Sequence, residues 1–206
     1  MKEVAELLLK TNAVTLRINP PYTWASGILA PIYTDNRILL SYPSEREKIL
    51  DLFIRTIEEN DIQFNLIAGV STAGIPWAAW LAKRLNKPMV YVRATTKDHG
   101  KENLIEGRVE KGSRAVVIED LISTGRSALS TVEALRDAGC KVEYCLTIFT
   151  YEFRSAKENF QKMACKLIAL TDFSTLIELA TGKGYLNNSD KQNVLNWSKD
   201  PEKWGR

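Results

Sequence analysis

The chain has 206 residues, 45% hydrophobic and 26% charged, which is enough to bury a proper core and too apolar for disorder. Its net charge of +3, with Lys and Arg scattered among acids, leaves no basic stripe and argues against nucleic acid as a main partner. No apolar run approaches the ~18 residues that cross a bilayer, the opening MKEVAELLLK is unlike a signal peptide, and Cys140, Cys145 and Cys165 lack C-x-x-C spacing, so a cytoplasmic protein with buried thiols and no membrane partner is expected. There is no internal repeat or low-complexity segment.

In chain order, a short helix is predicted over 4–9, followed by strands and turns over 13–40, where Pro, Tyr, Thr and β-branched residues concentrate. A helix over 46–59 carries Ile49, Leu50, Phe53 and Ile57 on one face, with Ser44 as N-cap and Glu47 completing a capping box. Then βα alternation begins. A strand over 66–70 leads through Ser71-Thr72-Ala73-Gly74 into a helix ending near Asn86, and a strand over 89–93 enters a long polar loop over 94–107. After the strand at 115–118 come a helix carrying Ala128, Leu129, Val132 and Leu135 ahead of Gly139, a strand over 142–149, a helix over 155–163, a strand over 167–170 and a helix over 173–180. Beyond Lys199 the tail is loose, and its Trp204 either docks or dangles. This order predicts an α/β fold with a mostly parallel, doubly wound sheet, in which Ser71, Arg93, Glu119, Asp120 and Thr150 converge at the C-terminal strand ends.

The stretch AVVIEDLISTGRS, residues 115–127, is the chemical centre of the sequence. A buried β-branched run gives way at once to Glu119 and Asp120, then to the small, hydroxyl-rich turn Ser123-Thr124-Gly125-Arg126-Ser127 and a helix. Backbone N–H groups at such a helix N-terminus form a cup for a phosphate. The acids repel phosphate and must face another part of the same ligand, sugar hydroxyls or a metal ion, so a phosphorylated sugar is indicated. The turn lacks the Lys of a nucleotide-triphosphate loop, and no G-x-G-x-x-G follows a predicted strand. The loop RATTKDHGKENLIEG holds the chain's single histidine, His99, between Lys97 and Lys101. Cations with an imidazole suit a mobile lid over a polyanion that gains charge as it leaves.

At these residues the chain resembles the type I phosphoribosyltransferases, whose phosphoribosyl-pyrophosphate (PRPP) motif is an apolar strand, two acids and a Thr/Ser-Gly loop. More narrowly, Arg93 followed by Lys97-Asp98-His99-Gly100, the hood segment TWASGILAPIYTDNR from Thr23 to Arg37, TAG at 72–74 and FTYE at 149–152 resemble orotate phosphoribosyltransferases, in the form typical of Gram-positive bacteria. The resemblance covers nearly the whole chain. It implies a single type I phosphoribosyltransferase domain over 1–206, with a small N-terminal hood over about 1–42 and a core over about 43–206.

The resemblance also implies roles. Glu119 and Asp120 would hold the ribose hydroxyls, and the PRPP site would run on through Leu121, Ile122, Ser123, Thr124, Gly125, Arg126 and Ser127 at the 5′-phosphate. Arg93, Lys97 and His99 would clamp pyrophosphate from the neighbouring subunit of a homodimer, with Lys97, His99 and Asp120 catalytic. Ser123, Ser26, Gly27 and Arg37 would read orotate, the planar guanidinium suiting its carboxylate. Mg²⁺ would be required, with no set of protein metal ligands assigned. The implied activity is transfer of the phosphoribosyl group from PRPP to orotate. The alternatives are a PRPP-sensing regulator of the same fold, for which the segment before the core offers no DNA-binding module, and transfer to another base, which leaves 26–37 unexplained. Trp24, Trp77 and Trp80 read as core. The chain departs from the family at Ala94, where Lys is common, at Leu29-Ala30, where many members have Lys-Ser, and at Arg126, where a small residue is usual. Arg126 either adds a phosphate contact or points away.

Overall fold

The computed structural model describes residues 1–94 and 104–204. Helix α1 (Lys2–Lys10) buries Val4, Leu7, Leu8 and Leu9. It is followed by β1 (Val14–Leu16), β2 (Tyr22–Thr23), β3 (Leu29–Ala30), β4 (Ile32–Thr34) and a 3₁₀ helix (Asn36–Ser41). Strands β1 and β4 pair antiparallel, as do β2 and β3, and these short ribbons with the 3₁₀ helix make the hood. Helix α2 (Pro43–Glu59) buries the apolar face expected of it. Its start differs: Tyr42 is the N-cap with no side-chain cap bond, and Pro43 opens the helix ahead of Ser44 and Glu47. Proline at the first helical position has no N–H to satisfy and a φ already suited to the helix, so the capping box is not needed.

The core alternates β5 (Leu66–Val70), α3 (Gly74–Leu85), β6 (Met89–Val92), β7 (Ile105–Glu106), β8 (Arg114–Ile122), α4 (Arg126–Asp137), β9 (Lys141–Thr150), α5 (Arg154–Lys162), β10 (Lys166–Asp172) and α6 (Phe173–Gly182). The sheet runs β10-β9-β8-β5-β6-β7. All neighbours are parallel except β6 and β7. The mostly parallel sheet is therefore as expected, with a two-residue antiparallel edge that the sequence did not reveal: the polar loop returns at Ile105 to pair with Val92. Because β5 proceeds outward to β6 while β8 lies on its other side, the strand order reverses between β5 and β8. That crevice, at the C-terminal strand ends, is where ligands of open α/β sheets bind.

Strand β8 is longer than the apolar run suggests. It continues through both acids to Ile122, because its pairing with β9 persists there, Glu119 opposite Thr147 and Leu121 opposite Phe149. The acids thus sit within the strand instead of following it. A further helix, α7 (Asn188–Trp197), was also not expected. Trp197 is fully buried and donates its indole N–H to the Leu29 carbonyl at 3.0 Å, pinning β3 to the core. Trp204 docks, donating to Asn193 Oδ1 at 3.0 Å. Trp77 is fully buried, and Trp80 packs edge-on against it at 5.5 Å with the Arg46 guanidinium over its ring. The three cysteines are buried and unpaired. Among the described residues no helix is long and apolar enough to cross a membrane.

Candidate active site

Two close approaches build the crevice. A Cβ on Gly74 would stand 2.4 Å from the Ile118 carbonyl oxygen, so only glycine lets the start of α3 lie against β8 beside Glu119. A Cβ on Gly125 would meet the Phe160 ring at 2.7 Å, and Gly125 adopts φ +79, which favours glycine on its own account. Gly125 is the N-cap of α4, so the Ser123–Ser127 turn does end at a helix N-terminus. Thr124, Arg126 and Ser127 are exposed there and Ser123 is half-buried. The free N–H groups and the positive end of the helix dipole together favour an anion.

Glu119 and Asp120 are 7% and 9% exposed, burial more typical of apolar side chains. Glu119 Oε1 accepts the Asp120 backbone N–H at 3.1 Å. Burial, then the neighbouring Asp120 charge, pushes the Glu119 carboxyl well above the usual carboxylate range. Burial raises Asp120 as well, offset by its hydrogen bond with Glu119 and by the Arg37 charge. Two acids removed from water side by side cannot both ionise cheaply, which favours the protonated form of the pair. Such a pair suits hydroxyl donors or a cation.

The hood faces this pair. A cleft of about 430 Å³ is walled by Trp24, Tyr33 and Thr34 of the hood and by Leu121, Ser123 and Tyr151 of the core. Trp24 belongs both to the cleft and to an aromatic cluster with Tyr151, Phe153 and Trp197, so its role as core is only half of its position. Burial holds the Tyr151 phenol well above its ordinary value, and it stands in the cleft as a neutral hydroxyl. The size and flat aromatic walls suit a small planar ring.

Of the residues expected to read the base, Ser123 lines the cleft. Ser26 and Gly27 sit exposed at the tip of the β2–β3 hairpin, where the Gly27 N–H donates to the Trp24 carbonyl at 2.8 Å. Arg37 is exposed and outside the lining of this cleft, its Nε donating to Asp35 Oδ1 at 2.6 Å and its Nη2 to Oδ2 at 3.0 Å. This pair lowers the Asp35 pKa, chiefly through the hydrogen bond. Arg93, just past β6, forms an ion pair with Glu106 of β7 at 3.5 Å, and Ala94 beside it is exposed. Lys97 and His99 lie outside the described residues. Sequence reasoning missed Thr34 and Tyr33 of the cleft and gave Tyr151 no role. The FTYE run was the available signal for Tyr151.

The phosphoribosyl transferase domain family matches residues 38–174. An orotate phosphoribosyltransferase of Coxiella burnetii is 52% identical over 202 residues, 98% of this chain and 97% of that one. One from Listeria monocytogenes is 47% identical over 205 residues, covering 100% of this chain and 98% of its own. The crystal structure of orotate phosphoribosyltransferase from Aeropyrum pernix superposes with a TM-score of 0.78 at 34% identity, over 89% of this chain and 99% of that one.

Proposed function

The chain belongs to the orotate phosphoribosyltransferases, and from that membership we propose how its residues divide the reaction. It moves the 5-phosphoribosyl group of PRPP to N1 of orotate, giving orotidine 5′-monophosphate and pyrophosphate, a step in making UMP. The observation that carries the residue assignment is the buried acid pair of β8, followed along the chain by Leu121 and Ser123 of the cleft and by Gly125 at the α4 N-terminus.

In this reading Glu119 and Asp120 accept hydrogen bonds from the ribose 2′- and 3′-hydroxyls. The Ser123–Ser127 amides and hydroxyls take the 5′-phosphate. Ser123, which borders both the turn and the cleft, also touches the base. Orotate lies between the hood aromatics and Tyr151, its carboxylate toward Arg37, with the Ser26–Gly27 backbone closing over it. No side chain is assigned as a general base, and none is needed where orotate attacks as its anion. Breaking the anomeric bond leaves an oxocarbenium-like sugar and a pyrophosphate with added charge. Arg93, Lys97 and His99 are assigned to that charge, the latter two from their motif alone. In a cytoplasmic homodimer, this lid serves the partner's site.

Among the described residues no cluster of three or more His, Cys, Asp or Glu is gathered as a metal cage. A carboxylate pair beside substrate oxygens nevertheless fits Mg²⁺, which keeps several waters and is commonly held through one or two carboxylates plus phosphates. Glu119 and Asp120 would hold it, and when bound it neutralises charge on the leaving group. The test is loss of orotate absorbance with PRPP and Mg²⁺, run beside uracil, hypoxanthine and adenine. Orotate alone is expected to react. Equal turnover of uracil would sink the assignment of the hood to orotate.

A further inference from the structure

Asn36 is fully buried, yet its amide is only half satisfied. Its Nδ2 donates to the Asp120 carbonyl at 2.7 Å across 84 residues of sequence, while Oδ1 has no partner among the described residues. The flanking Asp35 and Arg37 turn outward and pair with each other. Asp35 also accepts the Arg37 backbone N–H at 3.2 Å, capping the 3₁₀ helix that Asn36 opens. The three consecutive residues thus divide into a clasped pair turned outward and one amide driven into the core.

A buried acceptor without a partner costs stability, and an apolar residue here would exchange one orphan for another by stripping the buried Asp120 carbonyl of its donor. The one bond that the amide does make therefore both satisfies that carbonyl and places it. The two peptide groups that flank the Asp120 Cα are each gripped by a side chain, the N–H of one by Glu119 Oε1 and the C=O of the other by Asn36 Nδ2. Rotation of either group would swing the Asp120 carboxylate out of its direction.

We infer that Asn36 is a positioning residue, the hood's contribution to the PRPP site, which fixes the Asp120 peptide so that its carboxylate is held toward the ribose. This rests on the assignment of the acid pair to PRPP. Displacing a substrate-holding group by about an ångström costs up to about a hundredfold in rate. Asn36→Leu keeps the branched outline, removes the donor and leaves the Asp120 carbonyl without its partner. It is expected to lower kcat/KM for PRPP roughly tenfold to a hundredfold and to leave the KM for orotate within about twofold, with a lower Tm from the bulkier methyl groups and the stripped carbonyl.

A double-mutant cycle with Asp120→Asn separates the outcomes. If Asn36 acts through Asp120, Asn36→Leu has little further effect once the carboxylate is gone. Additive losses, or a fall in orotate affinity as large as the loss for PRPP, would overturn the inference and leave the acid pair's role intact. Near-normal activity of Asp120→Asn alone would overturn the underlying assignment and this inference with it. Should the leucine variant fail to fold, Asn36→Ser, which falls short of the carbonyl, carries the same cycle with the same expected non-additivity.

Discussion

Asp120→Asn exchanges a carboxylate for an amide of the same shape, and the surroundings of Asp120 make its consequences separable. The two bonds that hold this residue, Glu119 Oε1 to its N–H at 3.1 Å and Asn36 Nδ2 to its C=O at 2.7 Å, are made to the backbone and survive the change. The side chain is buried beside another acid, so removing its charge takes away a desolvation cost. The Tm of the free protein is therefore expected to hold or rise. What disappears is the charged acceptor proposed to face the sugar. A hydrogen bond to a charged group is worth ~1.5–3 kcal/mol, and two carboxylate oxygens serving the ribose contribute ~3 kcal/mol or more. At a factor of ten per ~1.4 kcal/mol, kcat/KM for PRPP falls on the order of a hundredfold or more. Because the Asp120 charge helps to raise Glu119, the pH profile of PRPP affinity also shifts toward lower pH in the variant. Steady-state kinetics over a pH series, beside circular dichroism and thermal melts, measure all three effects. Near-normal kinetics with an unchanged dichroism spectrum would refute the reasoning and leave the acids a buried pair without a ligand.

In the unaltered protein, PRPP affinity is expected to weaken as pH falls through the raised Glu119 value, above the ordinary carboxylate range, and Glu119→Gln should abolish that dependence. The stability of the free fold runs the opposite way: a raised carboxyl contributes while neutral and loses its contribution as pH rises through the folded value, so Glu119→Gln should raise Tm at the alkaline side, read by melts across pH. For the lid acting in trans, mixing inactive Lys97→Ala/His99→Ala with inactive Asp120→Asn should restore activity in heterodimers, and no recovery after proven subunit exchange would assign the lid to its own chain's site. Ala94→Lys, at an exposed position beside Arg93, should tighten PRPP and pyrophosphate binding roughly tenfold to a hundredfold, with a gain that shrinks as salt rises; an unchanged affinity across a salt series means that residue 94 faces away from the ligand.

Local signals carried the βα core. A β-branched run, an acid pair, a turn rich in small residues and the apolar spacing of α4 are written within about two dozen consecutive residues, and each recurred in the fold. The features that escaped depend on distant chain. Glu119 and Asp120 are poor strand formers, and their place inside β8 is decided by pairing with β9 and by a hood residue far upstream. The edge strand β7 has two residues, too few for any periodicity. Helix α7 buries only Val194 and Trp197, a thin stripe within a polar segment, and its docking depends on the Trp197 bond to Leu29. Ser44 had the right chemistry for a cap, but Pro43 before it set the start of the helix.

The hood and the sheet meet charge in different ways, and the difference follows from burial. The acid pair is held out of water on a rigid strand, where each ionised oxygen lacks solvent and a hydroxyl or cation that arrives is worth more than it would be at the surface. Arg37 is 64% exposed on its side chain and already clasped by Asp35. Exposed ion pairs contribute little, about 0–1 kcal/mol, so an incoming carboxylate can draw on the guanidinium at small cost. The clasp meanwhile keeps the planar fork from roaming through its rotamers, which is entropy that binding does not have to remove. Asp35 thereby orients the arginine cheaply, and Asn36, the residue between them, bonds to the backbone of the buried Asp120.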